Sequence, residues 1–117
     1  MEDIKKRIEA AIFQSLMYMG KEEYPFYDDY YIRYADFNEW GDDLIRNKGV
    51  QVIYRGEFPW DKEEIYSEYK IGQYDGGMEG NIVFFGRQIA DDMAKDIMKD
   101  CFDYVEESDV VEDFLAY

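Results

Sequence analysis

The chain has 117 residues, the size of one domain with a single hydrophobic core. Hydrophobic residues make up 47% and aromatic residues 19%, which excludes a disordered acidic tail because so apolar a chain can bury a core. The formal net charge is −15, from 28 acidic and 13 basic residues. This charge opposes direct binding to nucleic acids or anionic membranes, which are also polyanions. We therefore expect a folded, strongly acidic body that suits basic partners.

The cysteine content and the N-terminal residues predict a cytoplasmic protein. Cys101 is the single cysteine, which excludes an internal disulfide and is typical of a reducing compartment. Glu2 and Asp3 follow Met1, and no long apolar run comes after them, so the sequence does not have the pattern of a secretory signal. No apolar run approaches the roughly 20 residues that a helix needs to span a bilayer.

An amphipathic helix is predicted over residues 3–19. Apolar side chains recur there at spacings of three and four residues, which places them on one helical face. This face consists of Ile4, Ile8, Ala11, Ile12, Ser15, Leu16 and Met19. Gly20 indicates the C-terminal stop. Residues 21–35 are rich in tyrosine and acidic residues, and because Pro25 blocks a continuous helix, we expect a loop followed by a short extended or helical piece.

The middle of the chain predicts a short helix followed by a strand. Asp36 is a suitable N-cap for a helix over residues 37–47. The side chains that this helix would turn inward are Trp40, Leu44 and Ile45. Residues 50–55 are β-branched and aromatic, which predicts a strand. Residues 57–61 are expected to form a turn or a long connection.

The last part of the chain predicts a β-hairpin and a long helix. Residues 65–71 and 82–85 are candidate strands on either side of a glycine-rich turn. Residues 87–107 form the clearest helix, and residues 110–117 a last short one. The apolar face of the long helix consists of Ile89, Ala90, Met93, Ala94, Ile97, Cys101, Phe102 and Val105. The predicted class is α+β, a single acidic domain over residues 1–117 in which helices flank a small antiparallel sheet.

Acidic residues concentrate in three segments of the chain. Residues 22–43 hold eight acids and one base, residues 57–79 hold seven acids and two bases, and residues 89–117 hold ten acids and two bases. Bases outnumber acids in short segments only, of which residues 44–56 are the most basic. One acidic segment is ordinarily a solvated face that keeps a protein soluble, but three of them in so short a chain favour a functional surface.

The long C-terminal helix carries a row of carboxylates on its predicted outer face. Asp92, Asp96, Asp103 and Glu106 follow one another at spacings of four, seven and three residues, with Asp100 nearby. Four residues of helix rise about 6 Å, and a DNA strand carries a phosphate about every 3.4 Å of axis. Such a row can therefore approximate a row of phosphates. The other candidate binding residues are Glu107, Asp28, Asp29, Glu39, Asp42 and Asp43.

The sequence lacks the residues for a nucleophilic triad, and its many carboxylates fall in no recognised catalytic or metal-binding motif. The sequence has no histidine and no threonine, so a Ser-His or Cys-His nucleophile cannot be built. Cys101 lies on an apolar helical face and is expected to be a core residue. The chain has no calcium-binding loop motif, and its glycine-rich turn lacks the ending of a phosphate loop. We therefore predict a protein that is not an enzyme and that uses no cofactor or metal.

Twelve tyrosines are the second unusual feature of the composition. Five of them crowd among acidic residues, namely Tyr24, Tyr27, Tyr30, Tyr31 and Tyr34. Tyrosine is enriched at protein interfaces because it offers a rigid apolar surface and a hydroxyl group. Packing of these rings against the core is an equally open interpretation.

The chain resembles the bacterial and phage DNA-mimic proteins, and is most similar to the small bacterial mimic that binds the histone-like protein HU. The resemblance covers the whole chain and depends on size, charge and the acidic pairs at 28–29, 42–43, 91–92 and 106–107. These mimics share no diagnostic motif, so no residue is transferred by alignment. The resemblance implies a protein that binds a basic DNA-binding protein in place of DNA, without contacting nucleic acid or a membrane itself.

Two alternatives stay open at this stage. The chain could be an immunity or inhibitor protein that blocks a basic toxin nuclease or host-defence nuclease, because an acidic surface would serve that binding by the same physics. It could also be an unrelated acidic subunit or adaptor. A pull-down from lysate at low salt would separate them: HU-like proteins would support the mimic, and a single cognate toxin would support the inhibitor.

Overall fold

Two helices and four strands make up the part of the chain that the computed structural model describes, residues 2–56, 60, 62–74 and 82–103. In chain order they are α1 (Glu2–Tyr18), β1 (Glu23–Tyr27), β2 (Tyr30–Asp36), β3 (Lys48–Tyr54), β4 (Glu64–Lys70) and α2 (Ile82–Phe102). The strands form one antiparallel sheet in the order β1-β2-β3-β4. The predicted α+β class is confirmed.

Helix α1 forms where the apolar periodicity predicts it. Ile8, Ile12 and Leu16, each completely buried, lie along one face of the helix. This face packs against α2 and against the strands β1 and β2. The helix ends at Tyr18, because Met19 adopts a left-handed conformation with φ of 49° and its N–H donates to the carbonyl of Ser15 at 2.9 Å. The stop therefore comes one residue before the predicted Gly20.

The tyrosine-rich segment that follows forms a β-hairpin. Strands β1 and β2 pair from Glu23 opposite Arg33 to Tyr27 opposite Tyr30, so Asp28 and Asp29 make the turn. Asp28 has φ of 42°, a left-handed conformation that aspartate tolerates better than most side chains. Pro25, which excludes a helix here, is exposed on an edge strand, where its missing N–H does no harm.

The predicted helix over residues 37–47 is wrong. Only Ile45–Asn47 form one turn of 3-10 helix, and the residues before it are an irregular loop between β2 and β3. Asp36 does accept a hydrogen bond from the backbone N–H of Asn38 at 3.0 Å. Asn38 in turn bonds both backbone groups of Leu44 through its side chain. These local bonds satisfy the loop backbone without a helix, and they leave Trp40 fully exposed instead of inward.

Strands β3 and β4 confirm the predicted strands at 50–55 and 65–71. Val50 and Val52 in β3 are completely buried beneath the helices, opposite Tyr34 and Ile32 of β2. A β-bulge between β3 and β4 follows Val52. The helix-facing core combines both helices and the three strands β1, β2 and β3 with Tyr69 of β4, its largest completely buried members being Ile8, Ile12, Leu16, Ile32, Ile71, Met93 and Ile97.

Helix α2 begins earlier and ends earlier than predicted. Residues 82–85, predicted as a strand, are the first turn of the helix, because a short apolar run fits a buried strand and a buried helical turn equally well. The helix ends at Phe102 rather than at 107. Asp103 has φ of 52° there, and its N–H donates to the carbonyl of Lys99 at 2.9 Å. The predicted glycine-rich turn, the predicted helix over 110–117 and most of the connection at 57–61 lie outside the described residues.

Candidate acidic interface

The turn between β1 and β2 lies at the same end of the molecule as the C-terminal end of α2. The ring of Tyr27, next to Asp28, packs edge-on against the ring of Phe102, next to Asp103, with the ring centroids 5.2 Å apart. Two groups of predicted site residues that are far apart in sequence, Asp28 with Asp29 and Asp100 with Asp103, therefore belong to one end of the fold.

An aromatic cluster fills this end. The ring centroid of Tyr30 lies 5.0 Å from the ring centroid of Tyr54, 5.6 Å from that of Tyr66 and 6.4 Å from that of Phe102. Tyr30 is half-buried, and this burial raises the pKa of its hydroxyl above the usual value. Tyr27 and Tyr66 stay 41% and 47% exposed at the surface of the cluster. The density of tyrosine in the sequence was the available signal, but it did not show which rings would meet.

Aspartates 92, 96 and 100 recur every four residues along α2, and hydrogen bonds fix two of them. The hydroxyl of Tyr74 donates to the carboxylate of Asp96 at 2.5 Å, and the hydroxyl of Tyr69 donates to that of Asp100 at 2.7 Å. Burial first, and then these carboxylates, raise the pKa of both tyrosine hydroxyls well above the ordinary value. The hydroxyls therefore remain protonated donors that hold the two carboxylates in place.

Four aspartates along α2 and directly after it, at positions 92, 96, 100 and 103, form a row of largely exposed carboxylates. Asp96, Asp100 and Asp103 are exposed and Asp92 is half-exposed. None of the four forms an ion pair with another described residue. We call these four residues the α2 row. The predicted members Glu106 and Glu107 lie outside the described residues.

The third group of predicted site residues lies at the opposite end of the sheet. Strand β2 runs from Tyr30, beside the aromatic cluster, to Asp36, which pairs with Lys48 of β3 at the far end. Glu39, Asp42 and Asp43 lie in the loop beyond that far end. Asp43 forms an ion pair with Lys48 at 2.6 Å, and this carboxylate raises the pKa of Lys48. The acids of the loop and those of the turn do not make one surface.

Five basic side chains of the described residues form ion pairs. On the outer face of the sheet, Arg33 and Arg55 both contact Glu23 and Glu63. The hydrogen bonds from Arg55 and Arg33 lower the pKa of Glu63 below its usual range. Between the helices and in the loop, the remaining pairs are Lys5 with Glu9 and Asp91, Lys95 with Asp91, and Lys48 with Asp43.

These ion pairs give two bases of the basic segment 44–56 a structural role. Lys48 and Arg55 serve the fold by neutralising acids, so substituting either of them removes an ion pair as well as a charge. Arg46 is exposed and forms no ion pair with another described residue. It is therefore the cleaner position at which to test whether this segment takes part in binding.

Other reactive chemistry is weak in the described residues. Cys101 is half-buried, and burial raises the pKa of its thiol to about 12, which keeps it protonated and unreactive at neutral pH. Among the same residues, no three histidine, cysteine or acidic side chains cluster so as to hold a metal ion. No helix there has the length and apolar character needed to cross a membrane.

Comparison with known proteins adds no relative: no family model, no curated protein and no solved structure matches this chain. The similarity to DNA-mimic proteins therefore stays a prediction. The features that bear on function are the carboxylates of the α2 row, which form no described ion pair, and the exposed rings of Tyr27 and Tyr66.

Proposed function

We propose that the protein is a DNA mimic, which presents carboxylates in place of phosphates and competes with DNA for a basic DNA-binding protein. The observation that carries this proposal is the α2 row. Within the described residues none of its carboxylates forms an ion pair, whereas five basic side chains, Lys95 of the same helix among them, are held in ion pairs with other acids. The negative field of the row is therefore available to a partner.

The spacing of the row supports the same proposal. Asp92, Asp96 and Asp100 are each separated by one helical step of four residues, about 6 Å along the axis. Lysine and arginine bind carboxylates and phosphates through the same kind of charged hydrogen bond. A protein surface that binds DNA phosphates can therefore also bind this row of carboxylates. The tyrosine hydroxyls at Asp96 and Asp100 restrict these side chains before the partner arrives, which reduces the entropy lost on binding.

Histone-like proteins of the HU type are the first candidate partners, because the small DNA mimic that the chain most resembles binds such a protein. In this proposal the protein acts in the cytoplasm without catalysis, cofactor or metal, and it contacts neither nucleic acid nor a membrane. The second candidate is an inhibitor of a basic toxin nuclease or host-defence nuclease. The exposed rings of Tyr27 and Tyr66 favour it, because tight protein complexes are commonly centred on aromatic side chains.

A competition assay tests the proposal. A fluorescent DNA duplex is bound to purified HU, and increasing amounts of this protein are added while anisotropy is followed. We expect the duplex to be released, and we expect no anisotropy change when the protein is mixed with the duplex alone. HU–DNA complex that persists at large molar excess would exclude HU as the partner. If the protein instead releases the duplex only from a toxin nuclease, the inhibitor function is favoured.

A further inference from the structure

The aromatic cluster is an exposed apolar surface with an acidic rim. Tyr27 and Tyr66 present their rings to solvent on top of Tyr30 and Phe102, which are half-buried beneath them. The two rings come from β1 and β4, the two edge strands of the sheet. The rim acids are Asp28 and Asp29 in the turn and Asp100 and Asp103 at the end of α2. We call the rings and these four acids the aromatic end.

Charge decides what kind of partner can cover these rings. The four rim acids form no ion pair with a described residue, and the nearest base along α2 is Lys99. The guanidinium of Arg55, which follows β3, lies over the ring of Tyr31 and binds Glu23 and Glu63 on the outer face of the sheet, while Lys62, two residues before β4, is exposed. A second copy of this chain would bring like charges together. A basic surface with an apolar centre is complementary.

We infer that the basic partner docks on the aromatic end, with the exposed tyrosines at the centre of the contact and the aspartates around it. This inference rests on the proposed function and adds the position of the interface. Interfaces commonly have this form, in which buried aromatic anchors hold the complex and charges at the rim steer its formation. The α2 row then continues the acidic rim away from the rings.

Paired variants test the position of the contact. The double variant Tyr27→Ser with Tyr66→Ser removes the two central rings, and Tyr18→Ser with Trp40→Ser removes two exposed aromatic rings elsewhere. In the HU competition assay we expect the first pair to lose affinity by about tenfold or more, mainly through faster dissociation. The second pair should stay within about twofold of wild type. Circular dichroism and thermal unfolding establish that both pairs fold.

The rim is tested in the same way. Asp28→Asn with Asp103→Asn removes two charges and keeps residues that tolerate a left-handed conformation. Glu39→Gln with Asp42→Asn removes two charges at the other end of the sheet. We expect the first pair to slow association several-fold and the second to change it little. Equal losses in both pairs would overturn the inference, because total charge rather than position would then govern binding.

A second measurement tests where on this protein a basic partner binds, whatever the identity of that partner. Amide NMR spectra are recorded while a synthetic helical peptide of lysine, arginine and leucine is added to the full chain. Shifts concentrated at residues 27–30, at Tyr66 and at residues 99–103 support the inference even when HU itself fails to bind. Shifts at residues 39–43, or no shifts at all, overturn it. A dimer through this end in sedimentation experiments would overturn it as well.

Discussion

The two ends of the sheet are both acidic in sequence, yet they differ in the charge that they present. At the loop end, the antiparallel register places Lys48 of β3 beside the acidic loop, and Asp43 is neutralised there. At the aromatic end, the turn acids and the end of α2 meet around a cluster of rings, and none of these acids forms an ion pair with a described residue. Counting acids along the sequence therefore does not measure surface charge, because strand register decides which acids are paired.

The largest expected contrast between the two ends is in stability. Tyr30 contacts the rings of Tyr54, Tyr66 and Phe102 and is half-buried, whereas Trp40 at the loop end is fully exposed. We expect Tyr30→Ala to lower the free energy of unfolding by about 3 kcal/mol, because it removes contacts on several sides. Trp40→Ala should change it by less than about 0.5 kcal/mol. Urea unfolding measures both, and similar losses would contradict the described packing.

The next contrast is in partner binding by the α2 row. The variant with Asp92, Asp96, Asp100 and Asp103 all changed to Asn retains the side-chain oxygens that accept hydrogen bonds and removes four charges. We expect its affinity for the basic partner to fall by about tenfold or more, since the complementary field is lost. Helix stability should stay equal or rise slightly, because like charges four residues apart repel. Calorimetry and thermal unfolding measure the two effects.

A matched control belongs with that variant. Arg46→Gln changes an exposed base of the 44–56 segment that holds no described ion pair, so we expect wild-type affinity or slightly better. If the four-aspartate variant unfolds, these aspartates contribute to the fold and do not form a solvent-exposed face. If it folds and binds like wild type, the mimic surface lies elsewhere, with the turn and loop acids as the next candidates.

A smaller effect is expected on the outer face of the sheet, where acids are paired. Arg55 and Arg33 lower the pKa of Glu63 in the folded protein. The ionised carboxylate therefore stabilises the fold fully at pH values above its unfolded pKa of about 4.5, and this contribution is lost as the pH falls through the lower folded pKa. In Arg55→Gln, a carboxyl NMR titration should show the pKa of Glu63 moving up towards its ordinary value. An unchanged titration would show that this ion pair is not formed in solution.

Patterns of neighbouring residues predicted the elements that depend on residues close together in the sequence. The three-and-four spacing of Ile8, Ile12 and Leu16 predicted α1, and the β-branched residues of β3 predicted the central strand. The same reasoning failed at residues 82–85, where four apolar residues fit a strand or a helix. It failed again at residues 37–47, where the side chain of Asn38 satisfies the loop backbone in place of helical hydrogen bonds.

The candidate site was only partly predictable. The aspartates of α2 follow from helical spacing, and the structure places them along the helix. The aromatic end does not follow from any local pattern, because Tyr30 meets Tyr54 through strand pairing and meets Phe102 through the packing of α2 on the sheet. Likewise, no spacing rule distinguishes Asp43, which forms an ion pair with Lys48, from Asp42, which forms none with a described residue.

The salt dependence of partner binding tests the central claim most directly. If unpaired carboxylates take the place of phosphates, the logarithm of the association constant should fall steeply as salt rises from about 50 to 200 mM, as it does for DNA ligands. The four-aspartate variant should show a much shallower slope than wild type. A flat response in the wild-type protein would contradict the account, because binding would then depend on the tyrosine rings without the carboxylates.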